Sequence, residues 1–130
     1  MGQANEGYRS MSYDMNNIFA KIIRGEIPST KIYEDEHVLA FKDIRPQAKV
    51  HVLVIPKGAY VSSQDFSEKA SEAEIVAFTR AIAKVAKASG VAVTGYRVIA
   101  NTGADGRPEV PHFHVHILGG QNMGRMVCLD

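Results

Sequence analysis

The chain has 130 residues, of which 45% are hydrophobic and 22% charged, and these values predict one globular domain with its own core. Its 15 basic and 14 acidic residues leave a net charge of +1, which argues against nucleic acid or an anionic membrane surface as the main partner. Cys128 is the only cysteine, so the sequence excludes an internal disulfide and favours a reducing compartment, most simply the cytoplasm. No apolar run approaches the roughly 18 residues of a membrane span.

The N-terminal residues are rich in Gly, Asn, Gln, Ser and Met and show no hydrophobic period. We therefore expect a disordered leader over 1–16 and a single domain over 17–130. Apolar residues then recur at helical spacing and stop at Gly25 and Pro28, which predicts a short amphipathic helix. The apolar face of this helix consists of Ile18, Phe19, Ile22 and Ile23.

Short strand-like runs follow the first helix. Residues 30–33 and 37–41 flank an acidic turn and predict a hairpin. Residues 50–55 are apolar on both faces except at His51, which is typical of a central strand covered on both sides.

One long helix is predicted over 72–88, because Ser71 and Glu74 form a capping-box pattern ahead of an apolar stripe. Two further strands are predicted over 96–100 and 113–118. This order of elements predicts an α+β domain with a five-stranded, mostly antiparallel sheet, one long helix and one short helix.

Three histidines alternate near the C-terminus, at His112, His114 and His116. Side chains of a strand point to alternate faces, so these three imidazoles are predicted to share one face. A lone buried histidine is usually a core residue, but three in alternation do not pack a core.

Two chemical interpretations of the three histidines stay open. Three imidazoles can form a catalytic zinc site, although alternate strand positions lie too far apart for one ion unless His51 or a carboxylate completes it. Alternatively, histidine titrates near neutrality and can attack, transfer protons and hydrogen-bond a phosphate without a metal.

The motif HFHVHILGG at 112–120 resembles the signature of the histidine triad (HIT) family. Four further blocks resemble its nucleotide-binding Hint branch and stand in the family's order. They are NIFAKIIRGEIP at 17–28, LAFKDIRPQA at 39–48, HVLVIPK at 51–57 and NTG at 101–103. The resemblance spans about residues 17 to 123 and implies a HIT fold.

The resemblance implies a hydrolase that acts at the α-phosphate of purine nucleoside monophosphate derivatives. His114 would attack phosphorus and form a covalent nucleotidyl-histidine, which water then releases. His116 would hold an α-phosphate oxygen or the bridging atom, His112 would orient its neighbour, and His51 would complete the set. No metal and no cofactor would be required, and the protein would be a homodimer.

The resemblance also places a nucleoside pocket. Asp43 matches the residue that accepts hydrogen bonds from the ribose hydroxyls, and Asn101 matches one that contacts the phosphate or the leaving group. The other residues expected to bind the nucleotide are Ile18, Phe19, Ile22, Phe41, Ile44, Glu109 and Val110.

Two positions depart from the Hint pattern. Pro108 replaces a glutamine and has no N–H to offer a phosphate, and Glu109 stands where a hydroxyl residue is expected. A carboxylate there would either protonate the leaving group or repel the phosphate. The first alternative to the enzyme is therefore a nucleotide-binding regulatory protein with little turnover. A zinc-binding protein is a separate alternative, which the spacing of the three histidines argues against.

Overall fold

The computed structural model describes residues 12–108 and 110–129. Within them the chain forms four helices and five strands. In chain order these are α1 (Ile18–Ile23), β1 (Lys31–Glu34), β2 (Val38–Lys42), β3 (Val50–Pro56), α2 (Ser63–Lys69), α3 (Glu72–Ala88), β4 (Tyr96–Ile99), α4 (Gly103–Gly106) and β5 (Val115–Gly119).

The five strands form one sheet in the order β1-β2-β3-β5-β4, and every neighbouring pair is antiparallel. This confirms the predicted α+β class and the five-stranded antiparallel sheet. β3 lies at the centre, as its apolar sequence on both faces predicted. None of the helices in the described ranges is long and apolar enough to cross a membrane.

The two faces of the sheet bury different side chains. Val52 and Val54 of β3 belong to the cluster that packs against α3, together with Phe78 and Val85 of that helix. Leu53 and Ile55 face the opposite way and pack with residues of α1. Because side chains alternate along a strand, His51 lies on the α1 face with Leu53.

The long helix α3 begins as predicted. The Ser71 hydroxyl accepts a hydrogen bond from the Glu74 N–H at 3.1 Å, and the Glu74 carboxylate accepts one from the Ser71 N–H at 2.9 Å. The prediction of one long and one short helix missed α2 and α4. Phe66 is the only large apolar residue of α2, so that segment shows no amphipathic period, and α4 has only four residues.

The predicted strand over 113–118 is wrong at its start, because β5 begins at Val115. The ladder between β3 and β5 ends at the pair Val54–Val115. Pro56 has no N–H to extend this ladder toward β5, and its carbonyl accepts from the His112 ring. Only His116 of the three histidines is therefore a strand residue.

Candidate active site

Four histidines come together on the α1 face of the sheet. β3 contributes His51, β5 contributes His116, and the segment before β5 contributes His112 and His114. His116 lies opposite Leu53 in the β3–β5 register, which places it beside His51 on the same face. The ring centres of His114 and His116 are 5.1 Å apart, and those of His51 and His116 are 5.2 Å apart.

The orientation of the His114 ring follows from one hydrogen bond. Its Nδ1 lies 2.7 Å from the backbone carbonyl of His112. A carbonyl can only accept, so Nδ1 carries the proton and Nε2 of the neutral ring carries the lone pair. The edge-to-face contact with Phe19, at 5.0 Å and 87°, supports the ring from α1.

The backbone of Gln47 sets the tautomer of His51. The Gln47 N–H donates to Nδ1 of His51 at 3.0 Å, so Nε2 of the neutral His51 ring carries its proton. That Nε2 lies 2.9 Å from Nδ1 of His116 and 3.4 Å from a carboxylate oxygen of Asp43. His116 therefore accepts at Nδ1 and carries its own proton on Nε2.

Burial keeps these rings neutral. Desolvation lowers the pKa of His51, an effect that the nearby Asp43 carboxylate partly offsets. Desolvation also lowers the pKa of His116 to about 4, and the neighbouring His114 and His51 rings act in the same direction. At neutral pH both rings therefore hold one proton each, in the tautomers that the hydrogen bonds specify.

His112 is fully buried and has a partner at each ring nitrogen. Its Nε2 donates to the Pro56 carbonyl at 2.8 Å, and its Nδ1 lies 2.6 Å from the Tyr13 hydroxyl. Desolvation lowers the pKa of His112 to about 4, although the bond to the Pro56 carbonyl opposes the change. Tyr13 lies in the segment predicted as a leader, and nothing in the sequence pattern connected it to the histidines. That domain boundary stays a prediction.

A cleft of about 740 Å³ opens over the histidines, within the range of small-molecule sites. It brings together the predicted site residues other than His112, which lies behind His114, and Glu109, which falls outside the described residues. The predicted residues that line it are Ile18, Phe19, Ile22, Phe41, Asp43, Ile44, His51, Asn101, Val110, His114 and His116.

Several residues of the cleft were missed. Leu53 and Leu118 lie two positions from His51 and His116, so strand alternation could have placed them on the same face. Lys42, Arg45 and Arg107 also line the cleft, and Asp43 is the only acidic residue among its described lining. This excess of basic over acidic residues favours an anionic ligand. Further lining residues are Ile27, Pro28, Ser29, Gln47, Ile99 and Pro108.

Asp43, His51 and His116 could hold a metal ion by distance, since one ligand atom of each lies within 4.8 Å of the others. The hydrogen bonds do not fit such a site. A metal at Nε2 of His51 would move the proton to Nδ1, where it would face the Gln47 N–H, which is also a donor. The described donor set therefore does not fit a resident metal.

Comparison with known proteins identifies the family. The family model for the HIT domain matches residues 24–123, so the chain belongs to the HIT family, as its motifs implied. A HIT-like protein of Azospirillum brasilense is 54% identical over 116 residues, which cover 89% of this chain and 95% of that protein. The purine nucleoside phosphoramidase of Escherichia coli K12 is 46% identical over 111 residues, covering 85% of this chain and 92% of the relative.

A solved structure has the same fold. A histidine triad protein from Clostridium difficile superposes with a TM-score of 0.78 at 48% identity, and the match covers 88% of this chain and 98% of that one. The fold described above is therefore the HIT fold.

The pKa of His112 predicts how stability depends on pH. The unfolded ring takes up a proton below its ordinary pKa of 6.5, whereas the folded ring does so only near 4. The contribution of His112 to stability is therefore complete above pH 6.5 and is lost as the pH falls toward 4. Between pH 7 and pH 5 this effect should lower the unfolding free energy of the wild type by about 2 kcal/mol. We expect His112→Gln to lack this part of the decrease.

Urea unfolding at a series of pH values measures the slope of the unfolding free energy against pH. His37→Gln is the matched control, since it removes a histidine outside the cleft. Equal slopes for the wild type and His112→Gln would contradict the assignment.

Proposed function

We propose that the chain is a hydrolase that cleaves a phosphorus–nitrogen or similar bond at the α-phosphate of purine nucleoside monophosphate derivatives. The observation that carries this proposal is the hydrogen bond of 2.7 Å between Nδ1 of His114 and the His112 carbonyl. It leaves the lone pair of His114 on Nε2, in a ring that lines the cleft. The name of the Escherichia coli relative supports the same substrate class.

The proposed reaction has two displacements. Nε2 of His114 attacks phosphorus and the phosphorus–nitrogen bond breaks, so that the nucleotide is held on His114 and the leaving amine takes up a proton from solvent. Water then attacks the same phosphorus, breaks its bond to His114, releases the nucleoside monophosphate and returns a proton to solvent. Splitting one difficult step into two is the usual gain of covalent catalysis.

His116, oriented by His51, supplies a hydrogen-bond donor for the phosphate. Because Nδ1 of His116 accepts from His51 at 2.9 Å, the proton on Nε2 of His116 is available to an α-phosphate oxygen or to the bridging atom. Donors that are oriented before the reaction stabilise the developing charge. Lys42, Arg45 and Arg107 add positive charge at the cleft.

The nucleoside would lie between α1 and the loop that follows β2. Asp43 is partly exposed, with its side chain 20% accessible. Its Oδ2 lies near His51, and its Oδ1 accepts from the Arg45 N–H at 2.8 Å. A carboxylate held in this way offers acceptors to a ribose diol. Ile44 is 86% exposed beside it, and a bound base would cover part of this surface.

We further propose that the reaction needs no metal or cofactor and that the protein acts in the cytoplasm. The tautomer that Gln47 imposes on His51 supports metal-free chemistry. A nucleotide-binding role with little turnover is the second candidate, and the next experiment distinguishes it from the hydrolase.

The first test is hydrolysis of adenosine 5′-phosphoramidate in the presence of EDTA. We expect the wild type to release AMP and His114→Ala to lose activity by at least about a thousandfold, because the nucleophile is removed. His37→Ala is the control. Loss of wild-type activity in EDTA would favour zinc, and nucleotide binding without turnover would contradict the proposed hydrolase.

The role of Asp43 predicts a preference for ribose. We expect the wild type to prefer adenosine 5′-phosphoramidate over its 2′,3′-dideoxy analogue by about tenfold or more in kcat/KM, as expected for lost hydrogen bonds to a carboxylate. In Asp43→Asn the preference should shrink toward unity, while the acceptor for the Arg45 N–H is kept. A full preference in the variant would contradict the assignment.

A homodimer is also part of the proposal. Among the strands of the described ranges β4 pairs only with β5, which leaves its other edge open there, and Val98 on this strand is 43% exposed. The helix α3 covers the same face of the sheet as Val98, which lies opposite Ile117, and it leaves Ile75 and Val76 36% and 49% exposed. An open strand edge beside exposed apolar side chains is a typical protein contact surface.

Sedimentation velocity tests the homodimer. We expect the wild type to have twice the mass of one chain and Val98→Glu to be monomeric, because the charge would be buried at the interface. Val93→Glu is the matched control, since Val93 is 98% exposed. A monomeric wild type, or a dimeric Val98→Glu, would contradict this interface.

A further inference from the structure

Tyr13 contacts the site from a segment that the family model does not match. It precedes α1, whereas the match covers residues 24–123. Its hydroxyl lies 2.6 Å from Nδ1 of His112, and its ring meets the His112 ring edge to face, at 5.5 Å and 67°. A residue 99 positions away in sequence therefore contacts the first histidine of the motif.

The direction of this hydrogen bond is fixed by the other side of the ring. The Pro56 carbonyl can only accept, so Nε2 of His112 carries the proton. His112 is fully buried and neutral at pH 7, so its Nδ1 has no proton. The Tyr13 hydroxyl is therefore the donor.

The segment that carries Tyr13 is itself attached to the domain. The carbonyl of Asp14 accepts from the backbone N–H of Asn17 at 3.1 Å and from its side-chain amide at 2.7 Å. The carbonyl of Met15 accepts from the Arg24 guanidinium at 2.9 Å. These bonds anchor Tyr13 to α1, the helix whose Phe19 packs against His114.

We propose that Tyr13 is a positioning residue: by donating to His112 it fixes the ring that, together with Pro56, holds the His112 backbone in place. The carbonyl of His112 is the acceptor that orients His114. Tyr13 thus acts on the nucleophile through His112 and does not touch the substrate. This inference rests on the proposed function, since it assigns His114 as the nucleophile.

The test is Tyr13→Phe, which keeps the ring and removes only the hydroxyl. We expect kcat for adenosine 5′-phosphoramidate to fall about tenfold, the effect of one hydrogen bond on orientation, while KM stays within about twofold. Tyr13→Leu, which also removes the edge-to-face contact, should lower kcat further. An unchanged kcat in Tyr13→Phe would overturn the inference.

Tyr33→Phe is the matched control. Its hydroxyl is also part-buried and also makes a bond of 2.7 Å, to Asp35, but it packs on the α3 face of the sheet. We expect this variant to lose stability without losing kcat. An equal loss of kcat in both variants would mean that Tyr13 acts only through stability, and this would overturn the inference.

NMR of the histidine ring nitrogens separates a failure of this inference from a failure of the proposed function. In Tyr13→Phe, we expect the Nδ1 resonance of His112 to shift and the Nδ1 proton of His114 to exchange faster with water. If the wild type does not turn over, these two signals still decide whether Tyr13 positions the histidines. Unchanged signals would overturn the inference whatever the activity.

Discussion

The hydrogen bond between Nδ1 of His114 and the carbonyl of His112 determines what the rest of the site can do. His112 and His114 precede β5, so the His112 carbonyl lies outside the β3–β5 ladder and accepts from a side chain. The ladder stops short of Pro56, which has no N–H to extend it toward β5, and the Pro56 carbonyl accepts from the His112 ring. Pro56 at the end of β3 thus holds the ring of the residue whose carbonyl orients His114.

The same logic extends through the other rings. Three of the four site histidines, His51, His112 and His114, hydrogen-bond a backbone group that can only donate or only accept, and this group sets the tautomer of the ring. The fourth, His116, hydrogen-bonds His51. Gln47 fixes His51, and His51 fixes His116. Burial keeps His112 and His116 neutral by lowering their pKa to about 4. Protonated rings would have no lone pair to offer, and the network would lose its direction.

Much of the fold could be predicted from the sequence, because local signals agree with the final structure. The capping box of α3 and the apolar β3 place the long helix and the central strand, whereas the register that puts His116 and His51 on one face is not visible in either strand alone. The start of β5 could not be predicted, because it depends on which residue of β3 lies opposite. α2 has too few apolar residues to show a period.

The site was predicted less evenly. The histidines and the apolar wall of the pocket follow from the motif and the first helix. Tyr13 could not be found, since its contact with His112 joins residues 99 positions apart and its own segment has a disordered composition. Leu53 and Leu118 were missed although alternation along β3 and β5 places them beside the histidines.

The central claim is that Nε2 of His114 attacks phosphorus and that water attacks second. The stereochemistry at phosphorus tests this most directly, because each in-line displacement inverts the configuration. One diastereomer of adenosine 5′-phosphoramidothioate, hydrolysed in ¹⁸O-labelled water, gives a thiophosphate product whose configuration can be determined. Two displacements through His114 predict overall retention. Overall inversion would mean that water attacks the substrate directly, and this would contradict the nucleophilic role of His114.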